Sequence, residues 1–337
     1  MITAVTGATG HVGANLVRAL VAQGRTVRAL VHVDMRAVEG VNLEIVKGDV
    51  GDLNSLCRAF DGAEVVYHLA TYISLLMNEW TQCESINVTG VRNVVEACIR
   101  TGVRRLVHFS SIHALEQDPK DSPVDEIRPL VKSHRCPPYD RSKAAGEREV
   151  HRGIERGMDT VIISPTGIIG PYDYKPSYFG EVLLSLARSK MPALIDAGFN
   201  WVDVRDVVDG AMRAEKQAQK GAKYLLSGHW ASMHDLAVMV GESIDVTCPS
   251  FACPLWMADI GAPFATSFAH ITGKRPLYTR VSLMALRGNR NVSHEKATRE
   301  LGYHPRPLDQ TIADTLRWFE ESGQLTCRPK QELKRVA

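Results

Sequence analysis

Along the first two-thirds of the chain, short apolar runs alternate with segments whose apolar positions recur every three or four residues. The runs 2–5, 26–31, 43–47, 65–69, 106–110 and 160–164 predict strands. Residues 12–23, 53–60, 84–100 and 139–156 have helical spacing. This alternation predicts an α/β fold, a doubly wound parallel sheet with helices on both faces. In such sheets ligands sit at the C-terminal strand ends, so the residues just after each strand are the ones to watch. Beyond about residue 171 the pattern changes, and Pro171, Pro176, Pro192, Pro249, Pro254, Pro263 and Pro276 interrupt it. Helical stretches near 181–190, 233–241 and 254–271 predict a smaller, mostly helical second unit. The expected organisation is therefore a first domain over 1–170, with 201–227 returning to it through a helix at 203–214. A second domain follows over 171–200 and 228–325, then a polar tail over 326–337.

The length of 337 residues suits two domains, and 45% hydrophobic with 23% charged residues is ordinary for a globular protein. A formal charge of +2 without a basic run gives no electrostatic reason to expect nucleic acid or an anionic membrane. The seven cysteines (57, 83, 98, 136, 248, 253 and 327) are odd in number and contain no CxxC pair. Neither a disulfide framework nor a zinc site is expected, and a reducing, cytoplasmic setting fits. A core strand at the very start implies no signal peptide. The apolar segment 254–273 is interrupted by Asp259, Gly261, Pro263 and His270, so no membrane span is expected. None of the twelve histidines falls in a metal-binding spacing, so no metal is expected.

Chemistry concentrates in three places. The first strand stops at Gly7, Gly10 and Gly13 follow at three-residue steps, and a helix begins. Glycines let a backbone approach a pyrophosphate, and the helix N-terminus favours its charge, so this turn predicts a dinucleotide site. The fifth strand ends in two hydroxyls, Ser110 and Ser111. Then Pro137 and Pro138 precede a helix that places Tyr139 and Lys143 one turn apart on one face. An ammonium beside a phenol favours the phenolate, so the tyrosine pKa is expected to fall. Such a phenol can exchange a proton with a carbonyl or alcohol oxygen.

In that order these residues resemble the extended short-chain dehydrogenase/reductases of the NAD-dependent epimerase/dehydratase superfamily, dihydroflavonol-4-reductase-like branch. Residues 6–13 resemble its TGxxGxxG fingerprint, and residues 68–71, 87–90, 164–171 and 201–207 resemble further family segments. The resemblance implies a Rossmann-type cofactor domain and a catalytic set of Ser111, Tyr139 and Lys143, with Asn87 supporting the geometry. It implies cofactor contacts at Thr6, Gly7, Thr9, Gly10, His11, Val12, Gly13, His32, Arg36, Asp49, Val50, Leu69, Ala70, Thr71, Ser110, Tyr139, Lys143, Pro165, Gly167 and Ile168. No acid stands at Val31, while His32 and Arg36 follow it, so NADP is expected over NAD, with Asp34 as a complication.

Hydride transfer on an apolar or aromatic carbonyl, or on the matching alcohol, is the expected reaction. The apolar residues 72–77, together with Tyr172, Tyr174, Tyr178, Phe179, Phe251, Trp256, Met257, Phe264 and Phe268, favour such a substrate. Ile73, His113, Tyr172, Tyr178 and Trp201 are the candidate substrate contacts. A nucleotide-sugar epimerase is the alternative, because Lys175, Arg188, Lys190, Lys274, Arg275, Arg280 and Arg287 offer cations for a diphosphate. A non-catalytic NADP-binding sensor is the third reading, against which stand the retained Tyr139 and Lys143. By analogy, the helices around Val88, Val91, Val94, Val95 and Cys98 form either a homodimer interface or core.

Overall fold

The computed structural model describes residues 1–191, 193–261 and 279–326. Seven strands form one sheet: β1 (Ile2–Thr6), β2 (Thr26–Val31), β3 (Glu44–Lys47), β4 (Ala63–His68), β5 (Arg105–Phe109), β6 (Thr160–Pro165) and, much later in the chain, β10 (Lys223–Leu226). Their order is β10-β6-β5-β4-β1-β2-β3, and every pairing is parallel. The order reverses between β1 and β4, which opens a crevice at their C-terminal ends. The predicted strands agree to within one or two residues; for the central strands β1, β4, β5 and β6 this is because a strand buried on both faces is a continuous apolar run.

Helices cover both faces. On one, α1 (His11–Ala22) and α7 (Val204–Gln217) pack with Val5, Leu16, Tyr67 and Val207. On the other, α2 (Leu53–Phe60), α4 (Val91–Thr101) and α5 (Pro138–Glu155) pack around Leu56, Val66 and Leu106. Val91, Val94, Val95 and Cys98 belong to this second core, so they are spent on packing within the chain. The helix expected over 84–100 differs in detail. It comprises α3 (Trp80–Glu84), a π-helical segment (Ser85–Gly90) and then α4.

The second half of the chain is less helical than expected. The strands β7 (Gly167–Ile169), β9 (Gly198–Asp203) and β11 (His229–Ser232) form a small sheet, and β8 (Leu194–Ile195) pairs with β12 (Ala252–Cys253). Against it pack α6 (Tyr178–Ala187), α8 (Met233–Ile244) and the helix Leu308–Glu321, around Leu183, Trp201, Leu236 and Phe319. The return helix appears as α7, capped by Asp203, whose carboxylate accepts from the Arg205 N–H at 2.8 Å. The candidate residues Phe264, Phe268, Lys274 and Arg275 and nearly all of the tail at 326–337 lie outside the described residues. Among the described residues no helix is long and apolar enough to cross a membrane, and no cluster of metal-ligating side chains occurs.

Candidate active site

The first part of the site is a backbone cradle. Gly7 has φ +70°, the left-handed region that glycine adopts freely. A Cβ on Gly13 would lie 2.1 Å from the Gly7 carbonyl oxygen, so only glycine lets α1 close onto the turn. A Cβ on Gly10 would meet only that same oxygen, at 3.4 Å, so Gly10 keeps the cleft side of the turn open. Gly10 is also the N-cap of α1, and no side chain bonds the first N–H groups there. These orphan donors and the helix dipole fit an anionic pyrophosphate. His11 Nε2 sits 3.1 Å from the carbonyls of Gly170 and Pro171, tying the turn to the loop after β7.

From this cradle a cleft of about 690 Å³ runs into the second half of the chain. Of the expected cofactor contacts, Gly7, Thr9, Gly10, His11, Val12, Gly13, His32, Asp49, Val50, Leu69, Ala70, Thr71, Ser110, Tyr139, Lys143, Pro165, Gly167 and Ile168 line it. So do Ser111, Ile73, His113, Tyr178 and Trp201.

Four expected residues do not. Thr6 is buried behind the turn, its hydroxyl 2.6 Å from His68 Nδ1. Arg36 points away and clamps Asp34 through both carboxylate oxygens, at 3.0 and 2.7 Å. Asp34 itself lines the cleft, and its carboxyl is held down to about 2 by hydrogen bonding to Arg36. Asn87 stands one layer back. Its amide oxygen accepts from Thr71 Oγ1 and Tyr72 N, and its nitrogen donates to Tyr72 O and Ser142 Oγ. Tyr172 stacks on Tyr174, with the Arg18 guanidinium 4.8 Å over its ring. Phe251, Trp256 and Met257 likewise stay off the cleft wall and are exposed.

Ser111, Tyr139 and Lys143 converge at the crevice. Ser111 caps the short turn Ile112–Ala114 and hydrogen-bonds with Tyr139. Tyr139 and Lys143 enter from the first turns of α5, which Pro137 and Pro138 start sharply. Lys143 Nζ donates to the Phe109 carbonyl at 2.7 Å. Burial pushes Lys143 down to about 8. Burial also raises the Tyr139 phenol to about 12, although the bond with Ser111 works the other way. The expected fall of the tyrosine pKa is therefore not seen, because desolvation outweighs an ammonium that is turned to a backbone carbonyl.

Beyond Tyr139 the wall is apolar and largely comes from the chain's second half. Phe179, Phe199 and Trp201 pack edge to face with centroids 4.9 to 5.3 Å apart. Trp230, Met233, Val281, Ala285 and Leu286 continue the surface. Phe199, Trp230 and Val281 were not singled out in the sequence, which carries no local signal that brings residues so far apart together. Of the described cations considered for a diphosphate, only Lys175 lines the cleft; Arg188, Lys190, Arg280 and Arg287 do not.

Comparison with known proteins settles the family. The profile of the NAD dependent epimerase/dehydratase family matches residues 3–226. The chain belongs to that family. Within it, the chain lies with the dihydroflavonol-4-reductase-like branch of the extended short-chain dehydrogenases/reductases. It is 32% identical to "Sterol demethylase protein B" of Methylococcus capsulatus, over 96% of this chain and all of that one. It is 28% identical to a 4-hydroxy-2-methyl-3-oxo-4-farnesyl-3,4-dihydroquinoline-1-oxide ketoreductase of Stigmatella aurantiaca, covering 96% and 98% of the two chains. Among solved structures, that of gox2253 superposes with a TM-score of 0.84 at 32% identity, covering 96% of this chain and 99% of that one. A nucleoside-diphosphate-sugar epimerase of Pseudomonas aeruginosa, 22% identical, shares the fold with a TM-score of 0.78, over 97% and 99% of the chains. The family is one of NAD-dependent oxidoreductases and epimerases with a Rossmann-type cofactor sheet.

Proposed function

We propose that this protein transfers a hydride between a nicotinamide dinucleotide and a ketone or aldehyde, or the matching alcohol, of an apolar polycyclic or aromatic small molecule. The observation that carries this reading is the wall beyond Tyr139, aromatic and aliphatic; of the described cations considered for a diphosphate only Lys175 lines the cleft, and its charge acts on Asp34. A nucleotide sugar would need several such cations. The names of the sterol demethylase and ketoreductase relatives point to bulky apolar substrates and agree with it.

In this reading residues 1–170 with 201–227 hold the dinucleotide, and 171–200 with 228–325 hold the substrate. The glycine turn binds the pyrophosphate. The bound nicotinamide supplies or accepts the hydride. Ser111 orients the substrate oxygen, and Tyr139 exchanges a proton with it. Lys143 turns from Phe109 O toward the phenol and the ribose, where its charge lowers the phenol pKa. Asn87 fixes Thr71 and the backbone of residue 72 beside them. His113, whose Nδ1 lies 3.4 Å from Asp140 Oδ1, borders the substrate space with Ile73, Tyr178 and Trp201.

Cofactor choice follows from Asp34. Its ionised carboxylate lies on the wall and suits a ribose 2′-hydroxyl, while Arg36 is committed to it. We therefore place NAD(H) ahead of NADP(H), reversing the expectation from His32 and Arg36. The test is initial-rate kinetics with both reduced cofactors against steroidal, aromatic and aliphatic carbonyls, beside a UDP-sugar assayed without added cofactor. Consumption of reduced cofactor on a bulky carbonyl supports the reading. Interconversion of the UDP-sugar alone would replace it with an epimerase, and no turnover with intact dinucleotide binding would favour a sensor.

A further inference from the structure

Behind the cleft, between the sheet and α5, lies a buried polar cluster that the reaction just described leaves unused. Glu147, fully buried one turn beyond Lys143, accepts a 2.6 Å hydrogen bond from Ser110 Oγ. Its other oxygen faces Lys223 Nζ from β10 and, at 3.6 Å, the Nε2 of His151. Ser110 lines the cleft, whereas the His151 side chain is 46% exposed on the outer surface. The carboxylate thus spans from the active site to solvent. Around it, His108 on β5 and His68 on β4 are both buried. His108 Nδ1 and Nε2, His68 Nε2 and Ser164 Oγ have no hydrogen-bond partner among the described residues. So many orphaned polar atoms in one buried place call for ordered water.

We propose that Glu147 and His151 form a rear proton route that serves Lys143 when substrate and cofactor cover the cleft. The proposal rests on the hydride-transfer reading. In the reducing direction Tyr139 gives its proton to the substrate oxygen and takes one from Lys143 Nζ. A proton then enters at His151, crosses the Glu147 carboxylate to Ser110 Oγ and, through water held at His108, recharges Lys143. Only O–H and N–H bonds are made and broken. One proton enters per carbonyl reduced and one leaves per alcohol oxidised. The titratable groups that act on Glu147 are Lys143 and His151 on its own helix and Lys223 on the edge strand; His108 on β5 lies within reach of Lys143, His151 and Lys223, and His68 on β4 within reach of Lys143 and His108. Glu147 remains ionised among them: burial raises its pKa, but hydrogen bonding to His151 and the charge of Lys223 bring it below the usual value.

The test is His151→Ala, a half-exposed position whose truncation leaves the fold intact. The route predicts a fall in kcat of about tenfold, a larger solvent isotope effect and an unchanged KM for the dinucleotide. Added imidazole restores the rate, which a merely structural role would not allow. Independently of turnover, carboxyl-carbon NMR of the cofactor-free protein should show the Glu147 titration moving upward in His151→Ala. Wild-type kcat and isotope effect in the variant, or a Glu147 titration that does not move, would overturn the route. A wild-type protein that turns over no carbonyl would sink the proposed function instead, and the NMR result still decides whether His151 and Glu147 are coupled.

Discussion

The dinucleotide cradle makes a paired prediction. Gly13→Ala and Gly10→Ala each add one methyl group, three residues apart, with different consequences. At Gly13 the new carbon would sit 2.1 Å from Gly7 O, 2.7 Å from Ala8 Cα and 2.8 Å from Ala8 C, all backbone. No side chain can swing away, so the turn and α1 must separate. With three backbone atoms closer than 3.0 Å, forcing the carbon in costs about 2–3 kcal/mol, of which alanine's better helix propensity returns about 1 kcal/mol. A net loss of about 1–2 kcal/mol lowers Tm by roughly 2–8 °C in a domain of this size. At Gly10 the carbon meets only Gly7 O at 3.4 Å, and φ is an ordinary −79°. The fold then loses no more than about 1 kcal/mol, for the poorer N-cap. The methyl group instead projects where the pyrophosphate must run, and a tenfold weaker Kd, about 1.4 kcal/mol, is expected. Differential scanning fluorimetry and calorimetric titration with NAD(H) separate the two outcomes. Wild-type Tm in Gly13→Ala, or wild-type affinity in Gly10→Ala, would refute the reasoning.

Four further outcomes concern Asn87, Lys143 and Asp34. Asn87→Ala strips four hydrogen bonds from a buried site, two of them to the backbone of residue 72, so stability should fall by about 2–4 kcal/mol in urea unfolding. Burial lowers Lys143 to about 8, so its ammonium is present below that pH and lost above it, and kcat/KM should decline as pH rises through about 8. For the same reason the unfolded chain holds a proton the native one lacks between about pH 8 and 10.5; native stability relative to Lys143→Met should rise over that window, by about 3 kcal/mol in all. Asp34→Ala should weaken NAD(H) and free Arg36, moving the NADP(H)/NAD(H) ratio of kcat/KM upward; an unchanged ratio would show that Asp34 does not read the ribose.

The first half of the molecule was legible because its signals are local. A glycine turn, a strand-end hydroxyl pair and a proline-started helix each announce themselves within a few residues, and the parallel order then brings Gly10, Ser111 and Tyr139 to one edge. The π-helical segment at Ser85–Gly90 was not legible: inserting a wider turn leaves the apolar spacing nearly unchanged, and its occasion is the distant set of partners that Asn87 meets. The pairing of Arg36 with Asp34 was not legible, because charge near a strand end says nothing of direction. The apolar wall was only partly visible, since Phe179, Phe199 and Trp230 reach the cleft through short strands that pair late in the chain. The tyrosine pKa required burial, which spacing along a helix does not report.

The most direct test of the catalytic assignment is Tyr139→Phe, assayed for turnover and for dinucleotide affinity on the same preparation. Loss of turnover by at least about a hundredfold, with Kd for the dinucleotide close to that of the wild type, is the predicted result. A phenylalanine enzyme that still reduces its carbonyl at the wild-type rate would contradict it.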